Sequence, residues 1–188
     1  MPLRNASKGG NIIIAQINLI YLRDEQMNNL LILGRGQYSY IIEEIAEESF
    51  DKIDFLDDNF KDAVGRINDY ELLKGKYGYA VVAIGNASAR LDLTERLKKA
   101  GYKIATLVSK KAHISRSAKI GEGCIIEPMA VVNPNTVIGK CCIISAGAVV
   151  NHNSVVGNGC HIDCNATIAS NVVIEEKTKI TYGTVYKN

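Results

Sequence analysis

Residues Asn133–Asn171 read NPNTVIGKCCIISAGAVVNHNSVVGNGCHIDCNATIASN. The stretch has neither a helical period nor a two-residue alternation, yet it repeats every six residues. Stepping outward in both directions extends the pattern. From Val108 to Ile180 every sixth residue is Ile or Val, and the residue four later is nearly always small: Ala112, Ala118, Cys124, Ala130, Thr136 and so on to Thr184. A helix cannot produce this period. A solenoid of short strands and turns does, with the branched residue filling the interior and the small one sitting near a corner. A second period gives the cross-section. Gly121, Gly139 and Gly157 are eighteen apart, as are Cys124, Cys142 and Cys160. Three hexapeptides therefore make one coil, and the chain makes a little over four coils.

Coils stacked ~4.8 Å apart put Cys124, Cys142 and Cys160 in an inward column of packed thiols. All five cysteines lie within this stretch and their number is odd, which suits free thiols in the reducing cytoplasm better than a disulfide framework. Cys160, His161 and Cys164 face alternate ways and have no fourth ligand, so no metal is expected. The residue before each branched one should face outward. These include Ile125, Val131, Val137, Ile143, Val149, Val155 and Val173, and apolar rows of that kind mark contacts between subunits or with the N-terminal region. His161 stands in this row between Ile143 and Lys179 of the flanking coils. It reads either as part of a site between subunits or as a rim histidine. His152 occupies a corner position, equivalent to Pro134 and Ser170, and reads either as solvated surface or as a functional imidazole.

The rest of the chain has another texture. NNLLILG (28–34), KIDFLDDN (52–59), YAVVAIG (79–85) and YKIATLV (102–108) read as strands, and QYSYIIEEIAEE (37–48) and ASARLDLTERLKKAG (87–101) as helices. Alternation of this kind predicts a small parallel sheet, with ligands at the carboxyl ends of the strands. Gly34–Gly36, Asp57–Asp58 and Gly85–Asn86 collect at those ends. Lys+Arg is 22 and Asp+Glu 20, a balance that offers no basic face to a nucleic acid. Residues 1–26 are expected to be an extension, with 27–107 the α/β part and 108–188 the β-helix. The apolar run Asn11–Leu22 is too short to span a membrane, and RDEQ rather than a small-residue cleavage site follows it.

Together these parts resemble the bacterial hexapeptide acetyltransferases that modify sialic acids or UDP-4-amino-sugars. The resemblance runs from about Met27 to the end and is carried by LILGRGQYS, DFLDDN, VVAIGNASAR, the hexapeptides and VVNHNSVVGNGCHI. It implies a Rossmann-like domain followed by a left-handed β-helix, assembled as a homotrimer. It further implies acetyl-CoA as cosubstrate and a nucleotide-sugar or sugar as acceptor, with N- and O-acylation both open. His152 falls at the general base with Asn153 beside it, and His161 at a contact to the thioester end of acetyl-CoA. Ser170 falls where relatives have a glycine near the coenzyme. Gly36, Gln37, Asp57, Asp58 and Gly85 fall where relatives bind the nucleotide-sugar. The mechanism implied is direct attack of the acceptor on the thioester, without a covalent enzyme intermediate.

Three positions depart from the family pattern. Asn153 stands where relatives have Asp or Glu, and Tyr38 stands where they have a histidine in the glycine loop. The sequence stops at GTVYKN where relatives continue, so weaker acetyl-CoA binding is expected. A non-catalytic nucleotide-sugar-binding homologue and an acyltransferase with another donor or acceptor are the alternative readings.

Overall fold

The computed structural model describes residues 28–187, and the expected extension at 1–26 lies outside them. Strands β1 (Asn29–Leu33), β2 (Lys52–Leu56), β3 (Tyr79–Val82) and β4 (Lys103–Ile104) form a parallel sheet in the order β2-β1-β3-β4. Helix α1 (Ser39–Ala46) lies between β1 and β2. A 3-10 segment (Ile67–Leu73), not anticipated from sequence, and helix α2 (Ala87–Ala100) flank β3. Leu30, Ile32 and Val81 pack with Ile42 and Ile45 of α1, while Leu31, Leu33 and Val82 pack with Leu93 and Leu97 of α2. Burial on both faces is why these strands read as unbroken apolar runs. Helix α2 stops at Gly101, whose φ of 95° lets its N–H turn back to the carbonyls of Leu97 and Lys98.

The run Tyr102–Val108 is two strands rather than the single one expected. Ala105 N–H bonds to Ala80 O in the sheet, whereas Leu107 N–H bonds to Cys124 O in the coil. The ladder partner changes between them, and this short crossover joins sheet and solenoid.

From Leu107 the chain forms a three-sided parallel β-helix. The first face stacks Leu107–Val108, Ile125–Ile126, Ile143–Ile144, His161–Ile162 and Lys179–Ile180. The second stacks His113–Ile114, Val131–Val132, Val149–Val150, Thr167–Ile168 and Val185–Tyr186. The third stacks Lys119–Ile120, Val137–Ile138, Val155–Val156 and Val173–Ile174. Partners in every pair are eighteen apart. The inward residues from Ile126 to Ile180 are all buried. The pattern frays at its start, where no coil among the described residues lies beneath Val108, and Val108 is 39% exposed. The glycine column is steric in origin. A Cβ at Gly157 would lie 2.5 Å from Glu176 N, so no side chain fits between these coils.

Cys124, Cys142 and Cys160 are free, buried and inward, as the eighteen-residue spacing predicts. Each donates to a carbonyl fifteen residues further on, at the same corner of the next coil: Gly139 O at 2.9 Å, Gly157 O at 3.0 Å and Glu175 O at 3.0 Å. Contact with the Cys124 sulfur, together with burial, pushes the Cys142 thiol up to about 12. The column is therefore core rather than nucleophile.

Candidate active site

The outward rows of the coil divide by their cover. On the first face Leu107, Ile125 and Ile143 are buried against Ile42 and Ile45 of α1. On the third face Val137 and Val155 are 39% exposed and Val173 is 65% exposed. Climbing the first face, the outward residue changes from Ile143 to His161 and then Lys179. There the α/β part lifts away, and a cleft of ≈ 620 Å3 opens between coil and sheet. Its sheet side is Tyr38, Gly85 after β3, and Asn86, Ala87, Ser88 and Arg90 at the start of α2. Its coil side is Ile143, Gly159, His161, Lys177, Thr178, Lys179 and Tyr182.

Arg90 holds the two walls together. Its guanidinium is fully buried and donates to four carbonyls: Ile84 O (2.7 Å), Gly85 O (3.0 Å), Cys141 O (2.8 Å) and Gly159 O (2.8 Å). No carboxylate pairs with it among the described residues, and burial lowers its pKa. A guanidinium without an acidic partner, Lys177, Lys179 and the positive end of α2 make the cleft suited to an anionic ligand.

His161 lies mostly buried on the floor. Its Nε2 is 3.0 Å from Ser145 Oγ and 3.7 Å from Asp163 Oδ1. Burial lowers its pKa and Lys179 and Arg90 add to the fall, while Asp163 opposes them. The ring is thus biased toward the neutral form. Asp163 is itself buried, which raises its carboxyl, but Lys179, the Cys164 N–H and His161 pull it down further. Oδ1 accepts from Cys164 N–H (3.0 Å), while Lys179 Nζ sits 3.1 Å from Oδ2 but off the direction of a hydrogen bond. Next to this group, buried Glu127 accepts from Tyr38 Oη at 2.8 Å and from Ala146 N–H at 2.9 Å. Burial, with Glu127 second, raises the Tyr38 pKa well above its usual value. Tyr38 thus serves as a strut from the glycine loop to the coil.

Sequence reasoning missed Arg90 and this polar column. The signal for the column was present: Ser109, Glu127, Ser145 and Asp163 are eighteen apart, each directly after an inward branched residue, and all four are buried.

The expected sugar-binding residues scatter in role. Gly85 lines the cleft and offers its carbonyl to Arg90. Gly36 and Gln37 are exposed at the glycine loop, with open space around the missing Gly36 Cβ. Asp57 is occupied by backbone. Oδ2 accepts from Arg35 N–H at 2.7 Å, which is the main cause of its lowered pKa, and Oδ1 from Asn59 and Phe60. Asp58 accepts from Ile67 N–H at 3.1 Å. Both aspartates therefore shape the rim of the strand ends, and only Asp58 keeps an uncommitted oxygen.

His152 and Asn153 are elsewhere. They occupy the exposed corner between the second and third faces, whereas His161 is on the first face, across the triangle. The structure does not bring the two histidines together within one chain. At the corner, His152 Nε2 is 3.0 Å from Ser170 Oγ and its Nδ1 is 3.0 Å from Asn153 Nδ2. Asn135, Asn153 and Asn171 all have φ near 60°, the left-handed region that Asn tolerates better than most residues. Asn135 Nδ2 donates to Asn153 Oδ1 at 3.1 Å.

Comparison with known proteins gives this geometry its relatives. Residues 29–97 match the PglD N-terminal domain, and residues 117–152 match the bacterial transferase hexapeptide of six repeats. The chain is 31% identical over 120 residues to the UDP-N-acetylbacillosamine N-acetyltransferase of Bacillus subtilis. That match covers 53% of this chain and 51% of the relative, so the chain spans about half the length of the curated relative it matches. Among solved structures it resembles the acetyltransferase domain of PglB from Neisseria gonorrhoeae in complex with acetyl coenzyme A. There the identity is 28% and the TM-score 0.76, with 84% of this chain and 80% of that one covered. PerB from Caulobacter crescentus, in complex with CoA and GDP-perosamine, shares the fold at 22% identity and TM-score 0.76, covering 85% and 89%. The shared fold is a left-handed β-helix behind a Rossmann-like domain. No helix among the described residues is long and apolar enough to cross a membrane.

Proposed function

We propose that the chain is a bacterial hexapeptide-repeat transferase with a PglD N-terminal domain and that it moves an acetyl group from acetyl-CoA to an amine or hydroxyl of a nucleotide-linked sugar. The observation that carries this reading is the cationic cleft at the strand ends, with a nearly buried His161 on its floor. A nucleotide diphosphate on the sugar supplies the anion that Arg90, Lys177, Lys179 and the start of α2 attract. Gly85 lines the cleft, Gly36, Gln37 and Asp58 are assigned to the same nucleotide-sugar from the neighbouring strand ends, and Asp57 fixes the glycine loop by accepting from Arg35 N–H. His161 meets the thioester end of acetyl-CoA, and a neutral imidazole or a nearby backbone N–H donates to the oxygen that becomes negative during transfer. His152 is the general base that takes the proton of the attacking group.

Because His152 and His161 lie on opposite sides of the triangular coil, a working site needs both from different copies. The uncovered valines of the third face, Val137, Val155 and Val173, supply the contact, and a homotrimer closes it. The compartment is the cytoplasm, where thiols stay reduced and acetyl-CoA is made available. The test is calorimetry with acetyl-CoA and with GDP-perosamine, followed by product mass from the two together. Binding of both and a product one acetyl group heavier are expected. Binding of the nucleotide-sugar without acetyl-CoA binding or product would instead support a non-catalytic role, a reading that the missing carboxylate beside His152 favours.

A further inference from the structure

We propose that Lys179 couples the two ligands of the cleft: it neutralises Asp163 in the free chain, and the diphosphate of an arriving nucleotide-sugar draws it away, whereupon Asp163 pulls a proton onto His161. The inference rests on the reading that a nucleotide-linked sugar occupies this cleft. It makes Lys179 and Asp163 positioning residues that act through His161.

Asp163 is poised for a change of partner. Its side chain is only 2% exposed. Oδ1 accepts from Cys164 N–H at 3.0 Å, whereas Oδ2 is buried and accepts from nothing among the described residues. A buried carboxylate oxygen in that state needs a compensating charge. Lys179 supplies one from 3.1 Å, but off the direction of a hydrogen bond and from a side chain that is 55% exposed. The tie is therefore a bare charge contact made by a long, solvated side chain. Lys179 also lies on the last described rung of the first face and lines the cleft beside Lys177. Arg90 is committed to four carbonyls, so the turn toward an arriving phosphate falls to the lysines. A diphosphate carries more charge than one carboxylate and can take the ammonium in line, so it outcompetes Asp163 for Lys179.

Loss of Lys179 leaves Asp163 ionised, buried and without a cation, which is an expensive state. A proton can relieve it in two places: on the carboxylate itself, or on His161, whose Nε2 is 3.7 Å from Oδ1. An imidazole ordinarily titrates near about pH 6.5 and an Asp near about pH 3.9, so the ring takes the proton first. The groups facing the ring agree. Burial is the chief force against charge on it, Asp163 favours that charge, and Lys179 and Arg90 oppose it. Departure of Lys179 deletes one repulsion and frees one attraction. Ser145 Oγ, 3.0 Å from Nε2, is in place to accept the added N–H. Tyr38, which donates to Glu127, together with Lys177 and Tyr182, completes the titratable groups around the ring.

A neutral imidazole already donates to a developing oxyanion, and a ring that gains a proton donates more strongly. Acceptor binding thus primes the thioester end, and acetyl-CoA stays unreacted until an acceptor is present.

The test titrates the full chain by NMR with its histidine rings 13C-labelled, and His161→Gln identifies the His161 signal. Calorimetry first establishes that GDP-perosamine binds. Bound GDP-perosamine should then move the His161 midpoint to higher pH. Lys179→Met, a change on an exposed side chain, should raise the midpoint without ligand, and the ligand should then add less than it adds to wild type. Asp163→Asn should shrink the ligand-driven rise and lower kcat by roughly 10-fold with little change in KM, as a ring that holds its proton less well donates less. GDP-perosamine that binds yet leaves the midpoint unmoved, or moves it equally in Asp163→Asn, would overturn the coupling while the nucleotide-sugar reading stands. Failure to bind either GDP-perosamine or a UDP-linked 4-amino-sugar would overturn both.

Discussion

Replacing Arg90 with Met should cost more stability than any change at the surface, because the side chain holds the sheet to the coil through carbonyls that have no other hydrogen-bond donor. Its partners at Cys141 and Gly159 lie 51 and 69 residues away, and both bonds are buried. The Met chain fills much of the same volume but leaves these two oxygens without a donor. An orphaned buried acceptor costs about 1–3 kcal/mol, so the pair costs about 2–6 kcal/mol. The bonds to Ile84 O and Gly85 O border the cleft, where water can replace the guanidinium, and add little. Removing a buried cation without an acidic partner returns part of this loss. A net loss of about 2–4 kcal/mol is expected, a large share of the ~5–15 kcal/mol that holds a typical domain. Urea unfolding reads it as a lower midpoint, and separation into two transitions would follow if sheet and coil came apart before melting. Arg90→Lys should rescue little, since one ammonium cannot span three segments as a planar guanidinium does. If Arg90→Met unfolds within about 0.5 kcal/mol of wild type, water serves Cys141 O and Gly159 O as well, and the guanidinium is not the tie described above.

Two more outcomes follow from the histidines. Asn153→Asp should raise acetyl transfer by roughly 10-fold, because a carboxylate accepts Nδ1–H and stabilises the imidazolium, and Asp tolerates the left-handed backbone at φ 60° where Glu is more strained; no gain in kcat would show that His152 is not the base. The His161 pKa is held below the ordinary imidazole value, so the unfolded chain binds the proton first as pH falls. Its contribution is complete above about pH 6.5 and shrinks as pH drops from there toward the folded value, so His161→Gln should flatten the urea midpoint against pH in that window, and an unchanged slope would place the titration elsewhere.

The solenoid was legible because its core is built from local repetition. Each inward Ile or Val meets its counterpart eighteen residues away, so the period writes the fold directly into the sequence. What covers the outside was not legible. Ile125 and Val137 are the same kind of residue in the same hexapeptide position, yet one lies under α1 and the other faces solvent. That difference comes from where the sheet docks, which no local pattern records. Arg90 gave no signal in the sequence, since two of its carbonyl partners, Cys141 and Gly159, come from distant coils. Asp57 looked free for a ligand because only the folded loop brings Arg35, Asn59 and Phe60 N–H groups onto it. The two histidines were found by spacing and resemblance, but a linear spacing of nine hides that they occupy opposite sides of a triangle.

That separation makes the strongest test of the whole site. Nine residues are half a coil, so His152 leaves from a corner while His161 leaves from the face opposite it. If the two serve one reaction, each site draws His152 from one copy and His161 from its neighbour. Chains carrying His152→Ala and chains carrying His161→Ala should each be nearly inactive alone. Unfolded together, mixed in equal amounts and refolded, they form rings in which about a quarter of the contacts pair an intact His152 with an intact His161. Acetyl transfer should then return to about a quarter of the wild-type rate. A site contained within one chain gives no such recovery, because every chain in the mixture lacks one histidine. Mixed rings that form, as native mass spectrometry of differently tagged chains would establish, yet remain inactive would refute the split site and with it the role of the valine face as the surface that completes it.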